Sequence, residues 1–308
     1  MSDRIRTDTM PQGAICDLVT PFRDDQLDEA AFAELAEWQI NSGISGLLVA
    51  GPAGEPWALS DDERMRLIRL AVAVSGNRVP VFAGTGTNCT ETTVARTAEA
   101  KNLGADAAYV VTPYYSKPAQ EGLFRHFQAI ASRVDLPLIV GVSPQRTAAD
   151  LSPRTLERLA TLRAVVAIAD ETGDIARLVA MPAALRQRFA LYSGHDLTAM
   201  PFTLMGGRGV ISSAANLVPR LTVALHQALA TGNQQSALRL QERLSPLFQA
   251  LEREPSPPAI KYGLSLLRGI HDDVRLPLTP IVAETTAAIR MALAPVLCKP
   301  EPAQRQFL

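Results

Sequence analysis

Val165-Val166-Ala167-Ile168-Ala169-Asp170-Glu171-Thr172-Gly173-Asp174 carries the plainest statement of architecture in this chain. Val165 to Ala169 form an unbroken run of small or branched apolar residues that empties into a polar turn containing glycine. Such a run reads as a strand buried on both faces, the kind that parallel sheets use. A strand of this type ends at a functional face, yet the residue at its mouth, Ala169, has no reactive atom.

The same unit recurs on either side. Ala14 to Thr20, Gly46 to Ala50, Val79 to Ala83, Ala107 to Thr112 and Leu138 to Val142 precede it as strands. Phe189 to Tyr192 and Gly209 to Ser212 follow it, and helical patterns separate every pair. One such helix, Asp28 to Ser42, carries Phe32, Leu35, Ala36, Gln39 and Ile40 along one side. Another begins at Ser60, where Glu63 three residues on predicts a capping box. Eight strand and helix alternations in roughly 220 residues match the (β/α)8 TIM barrel, whose typical length is about 250. The competing architecture is a doubly wound open sheet. Its glycine fingerprint is absent from the first turn, Val19-Thr20-Pro21-Phe22, and Gly84-Thr85-Gly86 stands alone. After the eighth unit come helices without strands: Asn233 to Leu251, Pro258 to Leu267 and Pro280 to Leu293. The chain therefore divides into an N-terminal tail (1–12), a barrel (13–232) and a C-terminal three-helix appendage (233–308), with the proline-rich stretch Glu254 to Pro258 as a stiff connector.

The 308 residues are 47% hydrophobic and 20% charged, enough to bury a large core without disulfides or metal staples. A formal net charge of −1 gives no electrostatic reason to expect nucleic acid or an anionic membrane as partner. Met1 to Gln12 lacks the apolar core of a signal peptide, and no later apolar run reaches spanning length. Cys16, Cys89 and Cys298 show no CxxC spacing, so the expectation is a cytoplasmic protein with no disulfide framework and no zinc. Of the four histidines only His195 falls at a strand end, so no metal site and no cofactor is expected.

In such a barrel the chemistry gathers where strands end. The candidates there are Thr20, Glu55, Thr85, Thr87, Tyr114, Tyr115, Ser143, Arg146, Asp170, Glu171, His195, Asp196, Ser212, Ser213 and Asn216. The hydroxyl and amide residues among them also serve as helix caps and turn formers. The adjacent phenols Tyr114 and Tyr115, placed after a Thr-Pro turn, put two polar tips beside the pocket.

These residues resemble the dihydrodipicolinate synthase and N-acetylneuraminate lyase family, class I pyruvate-dependent aldolases on a TIM barrel with a C-terminal helical domain. The resemblance rests on Val19-Thr20-Pro21-Phe22, Gly51-x-x-Gly54-Glu55, Gly84-Thr85-Gly86, Thr112-Pro113-Tyr114-Tyr115-x-Lys117-Pro118, Pro144-x-Arg146-Thr147, Gly206-Gly207-x-Gly209-Val210-Ile211-Ser212 and Pro258 to Lys261, in order along almost the whole chain. It implies a lysine at the end of the sixth strand that forms a Schiff base with pyruvate. Aligned on Thr172-Gly173-Asp174, that position is Ala169, and none of Lys101, Lys117, Lys261 and Lys299 falls at a strand end. The loop that holds the keto-acid carboxylate through its N–H groups in the family reads Gly51-Pro52-Ala53-Gly54-Glu55 here, with both hydroxyls gone and a proline that has no N–H. The fifth-strand tyrosine that shuttles protons in the family falls at Gly141.

On these grounds the expectation is a pocket binding a small keto acid, other carboxylate or sugar acid through Ala53, Glu55, Arg146 and Ile211, with Tyr115 as the remaining catalytic residue, in a protein inactive as a class I aldolase. One alternative is an active lyase of altered, non-Schiff-base mechanism that pairs Tyr115 with Asp170, Glu171 or His195. Another is a structural or regulatory partner of an active paralogue. The resemblance also implies a homo-oligomer, either a tetramer or a dimer.

Overall fold

The computed structural model describes residues 6–297. Eight parallel strands close into a barrel: β1 (Gly13–Asp17), β2 (Gly46–Val49), β3 (Val81–Gly84), β4 (Ala107–Val111), β5 (Leu138–Val142), β6 (Val165–Asp170), β7 (Ala190–Ser193) and β8 (Gly209–Ser212). Each strand pairs with the next in sequence, and β8 closes on β1. A two-stranded ribbon, Phe22–Arg23 with Gln26–Leu27, decorates the first turn. The strands read as apolar runs because each is covered on both faces. Outside lie the helices, and inside lies a lumen filled by Ile15, Leu48, Phe82, Tyr109, Ile139, Ala167, Tyr192 and Ile211.

Local signals set the surrounding helices. Asp28 caps α1 (Glu29–Asn41) by accepting the Ala31 N–H at 3.0 Å. Both halves of the Ser60/Glu63 capping box are formed at the start of α2 (Asp61–Ser75), which stops at Gly76 in the left-handed region. Next come α3 (Thr90–Asn102), α4 (Gln120–Arg133), the single turn α5 (Pro144–Thr147) and α6 (Pro153–Leu159). The connection from β6 to β7 is split into α7 (Ile175–Ala180) and α8 (Ala183–Arg188), with Pro182 in the break. After α9 (Ala199–Leu204) and α10 (Pro219–Ala230) come α11 (Gln234–Leu251), α12 (Pro258–Arg268) and α13 (Ala283–Leu297). Helix α11 packs on α10 and α13, and α12 packs on α13.

Several boundaries differ from those the sequence predicts. β1 ends at Asp17 rather than Thr20, because the Val19 N–H leaves the sheet for the side-chain oxygen of Asn216 at 3.2 Å and the Thr20 hydroxyl turns to the Gly54 carbonyl at 2.8 Å. The last helix starts at Ala283, not Pro280. Over its described residues the N-terminal tail packs against the barrel. Met10 is 1% exposed at the floor of the lumen. Arg208 holds the Met10 and Asp8 carbonyls at 2.7 Å each, and the Tyr192 hydroxyl donates to the Pro11 carbonyl. Residues 1–5 of that tail, and 298–308 of the C-terminal unit with Cys298 and Lys299, lie outside the described residues. No helix among the described residues is long and apolar enough to cross a membrane.

Candidate active site

A cavity of about 60 Å³ opens at the C-terminal mouth of the barrel. One water needs roughly 10–15 Å³ on that measure, so the space suits a ligand of a few heavy atoms, such as a three-carbon acid. Asp17, Tyr109, Arg146, Ala169, Glu171 and Ile211 line it, together with Pro52, Gly194, Ser213 and Ser256. Above it is a vestibule of about 460 Å³ between the mouth and the C-terminal helices, reached by His195, Phe248, Glu252, Arg253 and Ile260. Arg146 and Glu171 border both spaces.

Strand alternation decides which side chains of the opening stretch face the site. Ala169 points into the lumen, Asp170 outward and Glu171 back over the mouth. Asp170 is therefore tied on the outside, to Arg177 at 3.1 Å and to the Thr172 N–H at 2.8 Å. Glu171 accepts a hydrogen bond from the Tyr109 hydroxyl, and the Ser143 side chain is a further polar neighbour. Burial raises the Glu171 carboxyl above its ordinary range although Tyr109, Ser143 and Arg146 favour the anion. Burial, followed by the Glu171 charge, pushes the Tyr109 phenol well up, so it is a proton donor at neutral pH.

Tyr109 is a cavity-lining phenol that the sequence reading does not single out. It belongs to the middle of β4 and reads as a core aromatic. Its phenol lies over Gly141 on the neighbouring strand β5, where a Cβ would collide with the phenolic oxygen. The register places Gly141 between Val111 on β4 and Ala169 on β6. The position that lacks the family's tyrosine thus leaves the space that a tyrosine from the adjacent strand fills.

Asp17, read as part of a strand, ends β1 beneath the loop 51–55 and is 3% exposed. Its Oδ2 accepts the Ala53 N–H at 2.8 Å. Desolvation raises its carboxyl well above the ordinary range, and Glu171 and Asp196 add to that shift while the Ala53 N–H and Arg146 oppose it.

The other sequence candidates divide by what they touch. Arg146 and Ile211 line the cavity as expected positions would. Ala53 is buried, with its N–H turned to Asp17. Glu55 does not line either space. It is 0% exposed and forms an ion pair with Lys261 on α12, with its Oε2 accepting the Arg275 N–H at 3.1 Å. Desolvation brings Lys261 down to about 8 against the pull of Glu55. Tyr115 is 89% exposed with φ of 68°, and within this chain its side chain does not reach the cavity. The strand-end turn carries it outward, and the phenol at the site is Tyr109 instead. Thr85 pairs with Thr97 at 2.9 Å and Thr87 with Thr93 at 3.0 Å, tying β3 to α3. His195 lies 3.2 Å from Glu252 in the vestibule wall. Asp196 accepts from the Ser212 hydroxyl and from the Ala214 N–H at 3.1 Å, and Asn216 donates to the Asp17 carbonyl at 2.7 Å. None of Lys101, Lys117 and Lys261 lines either space.

Residues 10–295 match the Dihydrodipicolinate synthetase family. A protein of Rhodospirillum centenum named 4-hydroxy-tetrahydrodipicolinate synthase is 44% identical over 284 residues, covering 92% of this chain and 98% of that one. A Hyphomonas neptunium protein of the same name is 44% identical over 287 residues, with the same coverage. Among solved structures, the chloride-inhibited dihydrodipicolinate synthase of Acinetobacter baumannii in complex with pyruvate superposes with a TM-score of 0.91 at 39% identity, over 93% of this chain and 99% of that one. The expectation of an inactive member, or of a mere partner to an active one, is overturned by this likeness: the chains it matches nearly end to end carry the name of a synthase. The fold, the mouth-facing cavity and the end-to-end matches agree that this chain belongs to the dihydrodipicolinate synthetase family.

Proposed function

We propose that the protein is a working synthase of the 4-hydroxy-tetrahydrodipicolinate synthase class, which draws a small 2-keto acid such as pyruvate into the buried cavity and joins its C3 carbon to an aldehyde. The observation that carries this reading is the Tyr109–Glu171 hydrogen bond at the rim of a cavity sized for three carbons, with Arg146 beside it. Ala169 offers no amine, so no Schiff base forms and the keto oxygen stays on the substrate, as a carbonyl and then as an enolate. Arg146 holds the substrate carboxylate. Glu171 takes a proton from C3, the electron pair of that C–H bond moves into an enolate, and the Tyr109 hydroxyl, no longer drawn to an anionic carboxylate, turns to donate to the enolate oxygen. The enolate carbon then attacks the aldehyde, and the new alkoxide recovers the proton from Glu171. Fixed donors aimed at developing charge in a site shielded from water are the largest single source of such stabilisation, and one acid or base group contributes about 10²- to 10⁴-fold. The aldehyde enters by the vestibule, which borders Arg146 and Glu171 from above.

The test is exchange of the pyruvate methyl protons into D2O, followed by proton NMR, together with condensation assays over a panel of aldehydes. Exchange in the unaltered protein and its loss in Tyr109→Phe and Glu171→Gln are expected, and borohydride should trap no adduct on the protein. Absence of both exchange and condensation would remove the reading, and an adduct seen by intact mass would replace its mechanism. A homo-oligomeric assembly is part of the proposal, supported by the exposed apolar side chains Val179, Leu204 and Met205, and light scattering reads it directly.

A further inference from the structure

The cavity contains more acid than an anion site calls for. Asp17 stands on one wall and Glu171 on another, and Arg146 is the one cation among the described residues that line the space. Asp17 Oδ1 is buried with no hydrogen-bond partner, while Oδ2 has the Ala53 N–H. The adjacent loop offers little else to an incoming anion: Pro52 has no N–H and the Gly54 N–H is turned to the Gly51 carbonyl at 2.9 Å. The remaining titratable groups facing Asp17 are Tyr109 from β4, Asp196 from the end of β7 and Cys16 on its own strand, and none of them is a cation. With Asp17 and Glu171 both ionised, the walls carry one net negative charge before any ligand arrives. A monoanion would add a second in about 60 Å³.

We propose that Asp17 makes this cavity a proton-coupled anion site: a 2-keto acid enters together with one proton, held on the wall by Asp17 while Glu171 stays ionised, and Asp17 thereby sets how strongly the site discriminates against anions as pH rises. Burial of the Asp17 carboxyl, which favours its neutral form, acts in the same direction. The inference deepens the keto-acid reading and rests on it for the choice of ligand. Binding that requires one proton weakens tenfold per pH unit above the governing carboxyl's pKa. Asp17 acts here as a specificity residue, not as a group that touches the reacting carbon.

The experiment uses oxamate, a pyruvate isostere that has no methyl to deprotonate and whose carboxylate stays ionised from pH 5 to 9. Calorimetric titration in two buffers of different ionisation enthalpy counts the protons taken up. In the unaltered protein, uptake approaching one proton per oxamate is expected over the upper part of that range, with affinity falling about tenfold per pH unit. Asp17→Asn keeps an acceptor for the Ala53 N–H, and at pH 8.5 it should bind oxamate at least tenfold more tightly with the pH slope lost or much reduced. Pyruvamide, the neutral analogue, should bind with no such slope in either protein. Flat oxamate affinity without proton uptake, or an Asp17→Asn variant that binds no better than the unaltered protein, would overturn the inference. The buffer comparison on the unaltered protein decides the matter even if the variant fails to fold. Oxamate binding needs no turnover, so loss of methyl exchange would remove the synthase reading alone, while intact exchange with no proton linkage would remove this one alone.

Discussion

Replacing Lys261 by Met should unsettle the joint between the barrel and the C-terminal helices more than any surface change. Lys261 and Glu55 are each 0% exposed, and the ammonium makes three contacts: the Glu55 carboxylate, the Asp273 carbonyl at 2.7 Å and the face of the Phe22 ring at 4.2 Å. Methionine fills a similar volume but leaves Glu55 with only the Arg275 N–H, an uncompensated charge in the interior. Removing one partner of such a pair costs about 3–5 kcal/mol, whereas replacing both partners by groups that carry no charge is often neutral. For a domain of this size each kcal/mol shifts the melting temperature by roughly 2–4 °C, so the single variant should melt at least about 6 °C lower. Urea midpoints and thermal melts of Lys261→Met, Glu55→Gln and the double variant complete the cycle. The double variant should recover most of the loss. A cost below about 1 kcal/mol for Lys261→Met, or a double variant no more stable than the single one, would refute the idea that the pair matters because breaking it strands a charge.

Other expectations follow from the same geometry. Gly141→Ala should push the Tyr109 phenol off Glu171, costing about 1–3 kcal/mol by overpacking. Its methyl-exchange rate should fall roughly as far as that of Tyr109→Phe, by about 10²- to 10⁴-fold, and exchange NMR with matched melts checks both. Asp17 has a raised carboxyl pKa, so between the ordinary carboxylate range and that raised value the folded state holds a proton that the unfolded chain has already released. Its contribution is therefore intact below the ordinary carboxylate range, near pH 4, and is lost as pH rises through the raised value. Asp17→Asn should accordingly gain more stability over the unaltered protein at pH 8 than at pH 5, as read from urea midpoints at the two values. Ser60→Ala breaks the capping box of α2 and should cost about 1 kcal/mol in the same assay.

The barrel was legible because parallel strands covered on both faces must be apolar along their whole length. Runs such as Val165 to Ala169 and Leu138 to Val142 therefore stand out between amphipathic helices. Arg146 and Glu171 were legible too, since strand ends are where polar residues face the mouth. Tyr109 was not, because a tyrosine inside a strand looks like any core aromatic and only the empty space at Gly141 on the next strand gives its hydroxyl a destination. Asp17 looked like the polar fringe of a strand, and its place beneath the Ala53 N–H depends on a contact between two distant segments. Tyr115 drew notice as a phenol after a Thr-Pro turn. Sequence does not reveal on which side of that turn the ring emerges, and here it emerges outward.

The Tyr109 and Gly141 arrangement also bears on how relatives within this fold should be compared. Neighbouring strands lie about 4.8 Å apart, less than the reach of a tyrosine side chain, so one phenolic oxygen can be delivered to nearly the same point from either of two alignment columns. Small at one column and long at the other is then a single packing unit. Inspected column by column, position 141 reads as a loss and position 109 as an ordinary core aromatic, although the space contains one phenolic oxygen supplied from next door.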